Sequence, residues 1–424
     1  MIYVAVLLGI VTLLISVPIF LVFGLSGSLV TIEALGLPWS MITQVTFDAI
    51  TKYTLLAIPL FIFSGMVMVK AGMARRLIDV FIDLVGHLPG GLGIAMILTM
   101  GFFGALCGSI LAAIVAIGSI MIPIMEENGY PRPFTAALAC CAGSLDALIP
   151  PSNAAIIFSA ITGEPVSRTF AAGIGPAFVY GGLLMVLVVW RCRKMDRRPA
   201  ASPARFVTDL VKALPALMTP GIILGGIYSG LFTPTEAAAV SGVWAILVGF
   251  LVHRELDLSG LWAALKDTAT MTAMIFSIIA TATFLSTALT YTRLPHRLID
   301  MAVGLGVTPI LFFAAAAVVM LILGTFMEVV PILYLTLPIF APIAVALNIS
   351  LVQLYAVSAA FVGMGLLTPP VCVGAYTAAA VARESADNVI RELFPKFMIV
   401  SLLYGAIVIL VPEISGFLPD LLSP

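Results

Sequence analysis

Two apolar stretches of this chain each carry a double proline, at matching points of its two halves. One is Gly143-Ser-Leu-Asp-Ala-Leu-Ile-Pro-Pro-Ser-Asn153; the other is Gly363-Met-Gly-Leu-Leu-Thr-Pro-Pro-Val371. Proline removes a backbone donor and collides with the preceding helical turn. Neither stretch is therefore expected to run on as a helix. With 62% hydrophobic and 10% charged residues, the chain lies far above the roughly 45–50% apolar content of soluble domains. Apolar runs near the ~20 residues of a membrane span recur along its length. In hydrocarbon, freed backbone groups survive only where protein or a watery cavity satisfies them. The expected fold is an all-α polytopic membrane protein with two broken elements held inside it.

The two halves are related by more than the double prolines. Pro123 and Pro342, Pro150 and Pro369, Pro151 and Pro370, and Pro176 and Pro395 all stand 219 positions apart. Arg76-Leu-Ile-Asp79 recurs as Arg297-Leu-Ile-Asp300. Prolines kept in phase over more than fifty residues point to an internal duplication. The expected organisation is a first membrane repeat over 1–190, a basic linker over 191–205 and a second repeat over 206–424. Re-entrant hairpins are expected near 134–160 and 352–381. Apolar candidates also fall near 3–24, 54–70, 91–125, 170–190, 214–232, 235–252, 269–290, 306–326, 329–347 and 393–412. The 91–125 run is too long for one simple span and contains Gly101, Gly104, Gly108 and Gly118. It is read as another broken element.

The linker carries Arg191, Arg193, Lys194, Arg197, Arg198 and Arg205 against Asp196. By the positive-inside rule it is a cytoplasmic loop; as a solvated linker it would read the same. Residues 1–32 carry no charge, so the first apolar stretch is expected to be a retained helix rather than a cleaved leader. A net charge of −1 gives no basic field for nucleic acid. His87, His253 and His296 are dispersed and show no zinc spacing. Cys107, Cys140, Cys141, Cys192 and Cys372 are read as small packing residues. No Walker loop, HExxH pair or nucleophile elbow is present. An enzyme is therefore not expected, and neither is an organic cofactor.

A helix broken inside a membrane exposes N–H groups at one half-helix start and C=O groups at the other half-helix end. The N–H end favours an anionic group and the C=O end a small cation. On that basis sodium is assigned to the carbonyls around Gly143, Leu148, Pro150, Gly363 and Gly365, helped by the Ser109, Ser152 and Thr368 hydroxyls and by Gly324, whose segment fits either a close helix approach or an unwound turn. A small organic anion is assigned to Asp146, Pro151, Ser152, Asn153, Glu328, Pro369 and Pro370. For a single double proline the alternative, a plain kink with back-bonded hydroxyls, would be the better reading; two in phase favour a site. Intramembrane acids are candidates by default. Asp146 either faces a cavity or caps the broken helix, and Glu328 either serves the site or pairs with a neighbouring helix. Glu236, in Phe232-Thr-Pro-Thr-Glu236, reads as a structural cap.

Several stretches carry a family resemblance. They are Ile58-Pro-Leu-Phe-Ile-Phe-Ser-Gly65, Gly86-His-Leu-Pro-Gly-Gly-Leu-Gly93, Gly118-Ser-Ile-Met-Ile-Pro-Ile-Met125, Leu148-Ile-Pro-Pro-Ser152, Gly230-Leu-Phe-Thr-Pro-Thr-Glu-Ala-Ala-Ala-Val240 and Gly365-Leu-Leu-Thr-Pro-Pro-Val371. In this order they resemble the large membrane subunit of tripartite ATP-independent periplasmic (TRAP) transporters over nearly the whole chain. The resemblance implies two inverted repeats, two re-entrant hairpins and an elevator motion of a transport domain against a scaffold. It implies sodium-driven import of organic acids across a bacterial or archaeal inner membrane. It also implies a small four-helix (Q-type) membrane subunit and a soluble periplasmic (P-type) binding protein as partners. Cys107, Asp146, Phe361 and Cys372 depart from the residues common in the family. Two rival functions remain: a stand-alone sodium/carboxylate transporter with similar hairpins, and an uncoupled channel or structural subunit.

Overall fold

The structure is a computed structural model that describes residues 2–15, 17–195 and 199–422. Among these it is helical throughout, without strands. Eight helical segments are long and apolar enough to cross a membrane by length and composition. Asp196, Arg197 and Arg198 of the basic linker, and the side chain of Cys107, lie outside the described residues. Of the remaining linker cations, Arg191 pairs with Glu392 at 3.7 Å and Arg205 with Asp83 at 3.3 Å.

The prolines and glycines set the element boundaries. The 3–24 run is divided, with helices at Ile2–Leu14 and Ile19–Ser28 and Pro18 at the start of the second. The 91–125 run is also two helices, Gly91–Cys107 and Ile110–Glu127. Between them Gly108 is left-handed (φ +63°) and Ser109 extended. A left-handed residue after a helix is a common terminator, and glycine adopts it without a Cβ penalty. The corresponding break in the second half falls between Pro309–Gly324 and Val329–Ala346. Two expected spans begin earlier than their apolar cores, at Pro203 and Leu258, because polar first turns belong to the same helices.

Each half then makes a hairpin. The first runs through Arg132–Gly143, a short 3-10 turn Ser144–Ala147, the Pro150-Pro151 tip and Asn153–Thr162. The second runs through Leu351–Gly365, the Pro369-Pro370 tip and Val373–Ala382. Both Pro–Pro bonds are cis. A long helical segment follows each hairpin, Val166–Cys192 in the first half and Ala386–Leu410 in the second. The second of these is kinked at Phe394.

Packing exchanges parts between the halves. The helix after the first break, Ile110–Glu127, packs on the returning arm of the second hairpin, Val373–Ala382. Reciprocally, Val329–Ala346 packs on the returning arm of the first hairpin, Asn153–Thr162. Beside this core lies a second group of helices linked by mutual contacts. It contains Ala57–Lys70, Pro203–Tyr228, Pro234–Leu247 and the 34-residue helix Leu258–Tyr291. Large apolar side chains remain exposed on this outer group, among them Val211, Val243, Leu251 and Trp262. That is the surface hydrocarbon requires.

Candidate functional site

The broken elements converge on one cavity of about 270 Å³ where the two groups of helices meet. The hairpin core contributes Gly108–Ala112, Asp146, Ala147, Asn153, Ala154, Glu328–Val330 and Leu366. The outer group closes it with Ile62 from one helix and Met271, Met274 and Ile275 from the 34-residue helix. Three helices begin at its wall: Ile110–Glu127, Asn153–Thr162 and Val329–Ala346. The first N–H groups of a helix have no partner within it and form the positive end of its dipole. Three such ends at one cavity give it a positive local field of the kind that suits an anionic group. The double prolines alone foretold one of these starts; the other two come from the breaks at Ser109 and Glu328.

Each polar side chain here is held from below. Ser109 caps its helix, its Oγ accepting from the Ala112 N–H at 3.4 Å. Asn153 donates from Nδ2 to the Gly108 carbonyl at 2.9 Å, while its buried Oδ1 has no hydrogen-bond partner. A Cβ on Gly108 would run into that amide, so glycine is demanded there by both space and φ. Asp146 sits in the 3-10 turn against Gly104, whose added Cβ would lie 2.8 Å from the Asp146 Cβ. It is 3% exposed, and its Oδ1 has no hydrogen-bond partner. Glu328 takes the N-cap position of Val329–Ala346 without making a cap bond, and among the described residues it forms no ion pair. It also lines a neighbouring cavity of about 500 Å³, together with Val371 from the second tip.

The remaining predicted residues are spread out. Ser152 is buried and donates to the Ala147 carbonyl at 3.2 Å, behind the cavity wall. Thr368 donates back to the Met364 carbonyl at 2.8 Å, the back-bonded arrangement. Gly324 and Gly365 meet backbone to backbone; a Cβ on Gly324 would lie 2.6 Å from the Gly365 Cα. Their contact is a helix crossing made possible by the missing side chains. Gly143 lies against Ile114 and Gly363 against Ser144, and the Leu148 carbonyl lies against Gly173. Pro369 and Pro370 are exposed at the second tip and line neither of these two cavities. Pro150 and Pro151 are buried in the first tip without reaching the cavity wall. Of the sixteen-residue span from Ser144 to Ser159, only Asp146, Ala147, Asn153 and Ala154 reach that wall.

One participant escaped sequence reasoning. Tyr355, on the entering arm of the second hairpin, donates its hydroxyl to the Ala147 carbonyl at 2.6 Å. It is 1% exposed, and its ring meets Phe158 edge-on at 5.3 Å. A tyrosine hydroxyl in an apolar run is a weak signal, because buried tyrosines commonly find some partner. Glu236, by contrast, forms the capping box with Thr233 that its spacing implies. Cys140, Cys141, Cys192 and Cys372 are free and buried, as small packing residues would be.

The sequence model described as "Tripartite ATP-independent periplasmic transporter, DctM component" matches residues 6–414. The C4-dicarboxylate TRAP transporter large permease protein DctM of Pseudomonas aeruginosa is 40% identical over 379 residues, covering 89% of this chain and 88% of that protein. The ectoine TRAP transporter large permease protein TeaC of Halomonas elongata is 32% identical over 411 residues, covering 95% and 92%. Among solved structures, the YdaH transporter of Alcanivorax borkumensis superposes with a TM-score of 0.65 at 18% identity. That likeness covers 99% of this chain and all of the other, and concerns the fold alone.

Proposed function

The chain belongs to the DctM component family of tripartite ATP-independent periplasmic transporters, and on that premise we propose that it imports a small organic acid by sodium-coupled secondary transport. It is a transporter permease of the inner membrane, not an enzyme, and its family works with a small membrane subunit and a periplasmic binding protein. The observation that carries the proposal is the convergence of three helix starts on one cavity. Those N–H groups meet a carboxylate without any basic side chain in the wall.

Sodium coupling is supported by the other ends of the broken elements. The entering arms finish at Gly143 and Gly365, and helix ends present carbonyl oxygens that suit a small cation. Ser109 and the free Oδ1 of Asn153 add oxygens close by. An elevator motion is supported by where the cavity lies, between the hairpin core and the outer group. The core would serve as transport domain and the outer helices as scaffold. The proposed division is 1–190 and 206–424 as inverted repeats joined by the linker.

The test is uptake into proteoliposomes holding the chain with its partner subunit and cognate binding protein. Accumulation is expected only with an inward sodium gradient. Uptake indifferent to that gradient would overturn the coupling, and uptake without any binding protein would favour a stand-alone transporter.

A further inference from the structure

The same cavity that gathers helix starts also holds two carboxyl side chains, and no Lys, Arg or His lines it. Nor does a basic side chain line the neighbouring cavity that shares Glu328. Asp146 is buried to 3% exposure with Oδ1 unpartnered, and Asn153 to 5% with Oδ1 unpartnered. Buried polar atoms are usually completed by protein, ordered water or a ligand, and these two lie where a ligand could reach them. A dianion in this space would set one carboxylate on the helix starts and leave the other beside the Asp146 and Glu328 carboxyl groups with no basic side chain to pair it. Like charges in so apolar a setting repel strongly. A bare sodium ion would answer one carboxylate but leave the wall of Ile62, Met271, Met274 and Ile275 without a partner.

We propose that the cargo is a zwitterion, an organic acid that also carries a cationic nitrogen. Its carboxylate faces the helix starts at Ile110, Asn153 and Val329. Its ammonium, amidinium or quaternary nitrogen lies against Asp146 and Glu328, with Asn153 Oδ1 accepting any N–H it offers. The carbon skeleton rests on the two methionines, whose flexible thioethers suit a varied shape and lie well against cations. The proposal rests on the reading of the chain as an organic-acid importer and names the class of acid.

The test is equilibrium binding to the purified full chain in detergent at constant sodium, read by ligand-induced thermal shift and titration calorimetry. One panel holds zwitterions: 4-aminobutanoate, proline, glycine betaine and ectoine. The other holds plain anions: succinate, malonate and gluconate. Zwitterions are expected to raise the melting temperature and plain anions to leave it unchanged. Asp146→Asn is expected to weaken the best zwitterion about thirtyfold or more, and Glu328→Gln to weaken it by a smaller factor. Either variant suffices if the other fails to fold. Binding by plain anions alone, or by no zwitterion of the panel, would overturn the proposal. So would equal loss of both panels and of the sodium response in Asp146→Asn, which would make Asp146 a sodium ligand. Binding needs no gradient, so a zwitterion that binds without sodium-driven uptake would refute the coupling and leave this inference standing. Sodium-driven uptake of gluconate with no zwitterion bound would do the reverse.

Discussion

The two hairpin tips share a double proline, a cis bond between the prolines and a place in their halves, yet the protein treats them oppositely. The first is enclosed: Ser144 to Leu148 and Pro150 to Ser159 are all buried. The second surfaces at Pro369 and Pro370, and Val371 is 39% exposed. The cause lies in the neighbours rather than in the tips. Gly104, Gly108 and Gly173 let other helices close directly over the first tip, each at a point where a Cβ would strike it. At the second, glycine contact is spent earlier, where Gly324 and Gly365 cross before the prolines. The two loops are alike in sequence; small residues elsewhere make one of them a wall and leave the other at the surface.

The comparison can be broken most decisively at Gly108. Gly108→Ala forces an L side chain to φ +63° and into the Asn153 amide. A loss of about 3 kcal/mol is expected, combining left-handed strain with overpacking. Thermal unfolding in detergent measures it, and a loss below about 1 kcal/mol would show that the first tip is loosely held. Asn153→Ala comes next, removing the 2.9 Å bond to Gly108 and a cavity oxygen. About 1–2 kcal/mol of stability is expected to go, and uptake with it. Thr368→Val at the second tip is expected to cost under about 0.5 kcal/mol, because its hydroxyl only bonds back along its own helix. From the proposed sodium assignment, that variant is expected to need more sodium for half-maximal uptake into proteoliposomes. Equal stability losses at Asn153 and Thr368 would erase the contrast between the tips.

Tyr355→Phe sharpens the picture by testing what the second hairpin gives the first. It deletes the 2.6 Å bond to Ala147 and leaves that carbonyl to Ser152. About 1 kcal/mol is expected, with the tip's amide protons exchanging faster by hydrogen-exchange mass spectrometry. The smallest effect belongs to a pair away from both tips, Arg76 and Glu255 at 2.7 Å. The Arg76 hydrogen bond holds the Glu255 carboxyl below its usual range. Its contribution is therefore present above the ordinary glutamate value and lost as pH falls through the lowered one. Glu255 is 49% exposed, so well under 0.5 kcal/mol is expected. Unfolding of Glu255→Gln between pH 3 and 7 would show it as a slightly flatter profile.

What was legible in the sequence follows a physical division. Prolines, glycines and charges inside apolar runs act locally, so the breaks near Ser109 and Glu328, both hairpins and the Glu236 cap could be read directly. Asp146, Asn153, Ser109 and Glu328 were named for the same reason, and the structure brings these four to one wall. Their convergence was not legible, because it depends on which helices cross. The glycines show the difficulty best. Gly324, read along the chain, fits either a close helix approach or an unwound turn, and its crossing with Gly365 shows only once the two helices of the second half are folded together. Pro369 and Pro370 show a similar limit: the repeated motif is legible along the chain, but the surroundings that expose its second occurrence are not. Tyr355 was silent because its partner is 208 positions away.

The crossing of Gly324 and Gly365 has a mechanical side. With bare backbone meeting bare backbone, a slip of one residue would bring Leu323 or Thr325, Met364 or Leu366, into the space that only glycine leaves open. The helix Pro309–Gly324 and the entering arm Leu351–Gly365 are thus keyed together like a tooth in its notch. A displacement that keeps this contact carries both helices together and bends the chain where they end, at 325–328 and at the second tip.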